Sequence, residues 1–196
     1  MKNKESIFDY SRTIALVDGI YAIVMTLLVL TLDTPSVPVN QLPAAILGDM
    51  DIFITYVISF IILGIFWISH QKLFYRIEKI PENYIWMNIC AMIFIALIPF
   101  ALDLSVDYNT SIIGMIIFHI IMLLCGVTNY ILWRYAYAKK LLKKEFMDED
   151  YNKLAGMMMP IASLVGILLS FFVPTWTPLV YLLIPISLRF LENHYK

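Results

Sequence analysis

Charge is scarce in this sequence: 14 basic and 15 acidic residues among 196, or 15% of the chain. A water-soluble domain carries roughly a quarter of its residues charged, so the composition argues against a soluble enzyme domain and for a surface covered by lipid. The net charge of −1 argues against a nucleic-acid binder, which would show a basic face. Cysteine is scarce too. Cys90 and Cys125 each stand alone inside apolar runs, so neither a disulfide framework nor a thiolate metal site is expected. His119 lies mid-run with no second ligand at i+3 or i+4 and reads as a hydrogen-bonded structural residue; His194 falls in the tail. No protease, kinase or transferase motif is present, and an enzyme is not expected.

What the chain has instead is apolar surface: 61% hydrophobic residues and a mean hydropathy of +0.79. A hydrocarbon layer about 30 Å thick needs about 20 helical residues to cross it. Six runs qualify, roughly Arg12 to Leu32, Ile52 to His70, Tyr84 to Phe100, Thr110 to Tyr135, Ala155 to Val173 and Trp176 to Leu191. They lack the period-two alternation of barrel strands, so the expected fold is all-α, a polytopic membrane protein of six transmembrane helices forming one unit over 1–196. Lys2 and Lys4 precede the first run, but its apolar stretch is too long for a signal peptide and no small-residue cleavage site follows, so it is expected to be retained. Trp67, Trp86, Trp133 and Trp176 fall near run ends, where amphipathic rings sit at head-group level.

The scarce charges are segregated. Lys2, Lys4 and Arg12 precede the first run; Lys72, Arg76 and Lys79 fill the second connection; Arg134, Lys139, Lys140, Lys143, Lys144 and Lys153 the fourth; Arg189 and Lys196 the tail, accounting for all 14 basic residues. The alternate connections hold Asp33, Asp49, Asp51, Asp103 and Asp107. By the positive-inside rule both termini are expected in the cytoplasm. The stretch from about Ala136 to Leu154 reads as a charged extension of the fourth helix ending in the acidic turn Asp148-Glu149-Asp150, a solvated linker with attraction to lipid head groups as the lesser reading. Pro35, Pro38 and Pro43 predict a stiff, non-helical first external connection.

One acid breaks the segregation. Asp18 lies near the middle of the first run, where a charge costs at least a few kcal/mol unless it is paired or wetted. Arg12 stands two turns earlier; His70, Trp86 and Asn88 lie at similar depth on the next two runs. Two readings stand: a polar clamp holding the first three helices together, or a proton relay or ion ligand. At about 100° per residue, Ile23, Leu27 and Leu30 form a stripe with Thr26 on its flank, and Asp18 points about 140° away from Ile23.

These residues resemble a family: the lysosomal potassium channel known as transmembrane protein 175 with its bacterial and archaeal homologues. The family pattern Arg-x-x-x-Phe-Ser-Asp-Gly is similar to Arg12-Thr13-Ile14-Ala15-Leu16-Val17-Asp18-Gly19, with Leu16 and Val17 in place of Phe and Ser. Phe66-Trp67-Ile68-Ser69-His70, Trp86-Met87-Asn88 and Pro99-Phe100 resemble further family elements, whereas the second half agrees only in helix count. The resemblance implies a potassium-permeable channel, a homotetramer whose first helices, about 12–32, line a central pore. It implies Ile23 as the narrowest ring, Leu27 and Leu30 beyond it, Thr26 offering hydroxyls to the ion, and Arg12, Asp18, His70, Trp86 and Asn88 as a structural polar network. No metal or cofactor is implied beyond permeant K+, and the partners are other copies of the chain, membrane lipid and potassium ions. A prokaryotic plasma membrane is the simplest location. No Thr-Val-Gly-Tyr-Gly segment exists, so a carbonyl filter of the usual kind is not expected. The alternative is a proton-coupled secondary transporter using Asp18 and His70.

Overall fold

The computed structural model describes residues 10–108, 111–146, 153–185 and 187. The basic residues Lys2, Lys4, Arg189 and Lys196, the acidic turn Asp148-Glu149-Asp150, Thr110 and His194 lie outside them, as does the far end of the sixth run. Among the described residues the fold is a helical bundle. Helix α1 spans Tyr10–Leu27 and tightens into a 3₁₀ turn at Leu28–Thr31; α2 is Leu42–Gly48, α3 Met50–Arg76, α4 Glu82–Ala96, α5 Ile98–Asp107, α6 Ile112–Ala138 and α7 Lys153–Leu169. A 3₁₀ helix, Pro174–Leu182, follows. Four continuous stretches are long and apolar enough to cross a membrane: Ser11–Thr31, Met50–Arg76, Glu82–Asp107 and Ile112–Ala138. The chain is an integral membrane protein by that measure, and a shorter apolar helix, Gly156–Leu169, packs beside them.

Proline sets the interruptions. α4 and α5 form one span broken at Leu97, because Pro99 brings no N–H and its ring crowds the preceding turn; Leu97 N bonds back to Phe94 O at 3.2 Å instead. The first connection departs from the expected non-helical loop. Pro43 stands in the first turn of α2, where its missing donor costs nothing and its fixed φ suits a helix. The sixth run departs further, since the stretch expected as a membrane α-helix from Trp176 is 3₁₀ up to Leu182, with Pro178 inside it. So long a 3₁₀ run is uncommon, and buried partners hold it.

His119 is the centre of those partners. Thr177 donates its hydroxyl proton to Pro174 O at 2.8 Å, so the His119 Nε2–H must be the donor to Thr177 Oγ1, also 2.8 Å away. In a neutral ring Nδ1 then accepts from the Tyr181 hydroxyl at 2.7 Å, and that hydroxyl also lies 3.3 Å from Ser163 Oγ. One fully buried imidazole thus joins α6, α7 and the 3₁₀ helix. Close approach makes this possible: a Cβ on Gly166 would sit 2.5 Å from His119 Cε1, and one on Gly126 would sit 2.9 Å from Pro160 Cδ. Small residues at helix crossings serve this purpose in membranes, where packing and polar contacts replace the hydrophobic drive between helices.

The connection after α6 is not the helical extension expected. α6 ends at Ala138, Lys140 takes a left-handed φ of 51°, and the chain doubles back to form an antiparallel bridge between Ile77 and Leu142. Glu78 N donates to Leu141 O at 2.9 Å and Lys143 N to Arg76 O at 2.8 Å. The physical reason is Leu142, whose burial against Ile77 contributes about 1.5–3 kcal/mol that a water-exposed helix would forgo.

Gly166→Ala is expected to lower the stability of the purified protein by about 1–3 kcal/mol through overpacking against His119, read as a lower melting temperature. Gly64→Ala, whose new Cβ meets nothing within 4 Å, is the matched control and should leave the melt unchanged or raise it.

Candidate functional site

Helix α1 has two faces. Thr13, Val17, Tyr21, Val24 and Leu28 are buried against the bundle, at the spacing of one helical stripe. The opposite stripe of Arg12, Leu16, Gly19, Ile23, Leu27 and Leu30 is exposed, Ile23 by 60% and Leu30 by 72%. Thr26, on its flank, donates its hydroxyl proton to Ile23 O at 2.7 Å. Its oxygen lone pairs are thereby left pointing away from the helix, able to face a cation.

Asp18 sits at the boundary between these faces, half-buried. Its Oδ1 accepts from Trp67 Nε1 at 2.9 Å and from Gln71 Nε2 at 2.6 Å. Trp67 and Gln71 are one turn apart on α3 and present both donors to the same carboxylate oxygen. One turn further along α1, the Tyr21 hydroxyl lies 2.9 Å from His70 Nδ1, which is also 3.2 Å from Phe66 O. Below them, Ser69 Oγ accepts from Asn129 Nδ2 at 3.0 Å and Trp133 Nε1 at 3.1 Å, tying α3 to α6.

The five polar residues singled out from the sequence are therefore divided. Asp18 and His70 both join α1 to α3, but through different partners. Asn88 is buried on α4 and donates to its own helix at Tyr84 O, 2.9 Å away; its Oδ1 has no hydrogen-bond partner among the described residues. Trp86 is 61% exposed and Arg12 lies on the exposed stripe. Sequence reasoning did not single out Gln71 or Tyr21, and named Trp67 as a boundary marker and as part of the family-like element Phe66–His70 without giving it a role at Asp18. The spacing of Trp67 and Gln71 at i, i+4, which puts both donors on one face of α3, was the available signal.

Residues 12–99 match the family model described as endosomal/lysosomal potassium channel TMEM175. A potassium channel of Chryseobacterium sp. (strain P1-3) is 33% identical over 92 residues, 47% of this chain and 46% of that one. A potassium channel of Streptomyces collinus is 24% identical over 130 residues, covering 64% and 63%. Over residues 12–99 the chain is similar to the TMEM175 family. The matched region contains α1 from Arg12 onward and all of α3 and α4, and so the whole Asp18 clamp. The alignments span about half to two thirds of these relatives' lengths. A crystal structure of a lysosomal potassium-selective channel TMEM175 homolog from Chamaesiphon minutus superposes with a TM-score of 0.78 at 21% identity, covering 92% of this chain and 97% of that one. The similarity of fold thus extends through the second half, beyond residue 99 where the family-model match ends.

A double-mutant cycle tests the clamp. Trp67→Phe is expected to cost about 1.5 kcal/mol, the low end for a hydrogen bond to a charged group, and distinctly less in an Asp18→Asn background. Thermal unfolding of the four purified proteins gives the coupling; a value near zero would mean that the indole N–H does not hold the carboxylate.

Proposed function

We propose that this protein belongs to the TMEM175 family and is a potassium-permeable cation channel, a homotetramer of six-helix subunits whose α1 helices surround a central pore. The carrying observation is the division of α1 into a buried face fastened to α3 and an apolar stripe left open. Four copies of that stripe around an axis would place rings of Ile23, Leu27 and Leu30 along the path, with Thr26 oxygens beside it. A narrow ring of four isoleucines blocks ions by dewetting and must widen or turn aside to conduct. With no carbonyl filter in the chain, selectivity rests on the lower cost of stripping water from K+ than from Na+, aided by threonine oxygens, and is modest. The ion moves down its gradient without a cofactor. The bacterial relatives support a prokaryotic plasma membrane, and the segregation of lysine and arginine supports cytoplasmic termini.

Asp18 and His70 take separate partners and share no hydrogen bond among the described residues, which favours a clamp over the paired titration that a proton-coupled carrier would use. In planar bilayers or liposomes, Ile23→Asn and Ile23→Ala are expected to raise basal potassium current several-fold by removing the dewetting barrier. Unchanged conductance in both variants would sink the Ile23 constriction. Saturable flux that disappears with Asp18→Asn while Ile23 variants are indifferent would replace the channel with the carrier.

A further inference from the structure

The fold-back after α6 changes where a group of cations resides. Had the helix continued past Ala138 at about 1.5 Å per residue, Lys144 would stand about 9 Å further into water, roughly one Debye length away at physiological salt. Instead the bridge between Ile77 and Leu142 returns the chain to the end of α3. Lys143 Nζ lies 4.6 Å over the Tyr75 ring. The Arg76 guanidinium lies 5.3 Å over Phe146 and 5.7 Å over Trp133, and Nη1 donates to the Tyr137 hydroxyl at 3.1 Å. Tyrosine and tryptophan at the end of an apolar span mark the head-group level, so these contacts hold two cations at that depth.

Around this aromatic layer Lys79, Lys139, Lys140 and Lys144 are exposed. Segments 72–82 and 134–146 together contain eight basic residues against three acidic ones, Glu78, Glu82 and Glu145. We propose that this rim is a docking surface for anionic phospholipid head groups of the leaflet that meets it. The chemistry recognised is a phosphodiester: ammonium and guanidinium groups donate to its oxygens, and each basic residue near an anionic surface adds to the attraction. The aromatic rings distinguish this partner from a soluble polyanion, because they place the cations where acyl chains begin. The inference is independent of the channel reading, since it concerns lipid retention and not flux.

The test uses the full chain purified in neutral detergent, with retained lipid counted by native mass spectrometry after exposure to equal phosphatidylglycerol and phosphatidylcholine. The wild type should retain phosphatidylglycerol preferentially at low salt, with the preference shrinking in about 0.5 M salt as the charges are screened. The triple substitution Lys139→Gln, Lys140→Gln and Lys144→Gln should reduce the preference by on the order of a hundred-fold at low salt, whereas arginine at the same three positions should preserve it. Equal retention of the two lipids by the wild type would overturn the proposal. So would an unreduced preference in the glutamine variant, or its loss in the arginine variant. If the glutamine variant does not fold, the wild type's salt dependence decides: a preference insensitive to salt counts against the rim.

Discussion

One carboxylate fixes the orientation of the helix on which the proposed function depends. Asp18 is an ionisable group in an otherwise apolar span, and the bilayer offers it no water. Trp67 and Gln71 on α3 supply two donors to one oxygen, each such bond to a charge contributing about 1.5–3 kcal/mol, comparable with the cost of burying it. That attachment sets how α1 is rotated. Because Ile23 lies about 140° around the helix from Asp18, turning the aspartate toward α3 turns the Ile23 stripe outward. The Tyr21–His70 contact, one turn along, makes the rotation doubly specified. The exposed apolar stripe is therefore a consequence of where the charge is held.

The two halves of the bundle solve the same solvation problem differently. The first half uses side chains that reach between helices, Asp18, Trp67 and Gln71 from partly open positions and Tyr21 and His70 from buried ones. The second uses a closed knot: His119, Thr177, Tyr181 and Ser163 are all buried, and glycine at 166 clears the space for the imidazole. A half built on close backbone approach tolerates different residues so long as small ones meet large ones. Such a half fits a family-model match that stops at residue 99 while the fold agreement covers nearly the whole chain.

Much of the architecture was legible because hydrophobic runs and membrane thickness are both one-dimensional. The four long spans, their order and the two-faced character of α1 follow from run length and helical spacing. What escaped were features that depend on three-dimensional register. Spacing puts Trp67 and Gln71 on one face of α3, but not at the depth of Asp18, so the donors to the carboxylate could not be named. Likewise the lysine-rich stretch after α6 reads as helix by propensity, and only the pairing of Leu142 with Ile77, 65 positions away in the sequence, shows why it turns back. The 3₁₀ segment at Pro174–Leu182 was hidden because its apolar composition is that of any membrane helix, while its geometry is enforced by a histidine on another element.

The departures at Leu16 and Val17 can now be located. Both line a groove of about 380 Å³ between α1 and α4, together with Thr13 and Asn88. Asn88 Oδ1 is buried there without a partner, and a buried acceptor in that condition costs about 1–3 kcal/mol. A serine hydroxyl at position 17, as in the family pattern, would bring a donor to this same groove, whereas valine brings only methyl groups. The loss falls on the α1–α4 contact. It does not reach the aspartate, because among the described residues Asp18 takes its donors from α3, about 100° around the helix from position 17. The orientation of the Ile23 stripe can thus survive the loss of the hydroxyl, at the expense of a looser seam with α4.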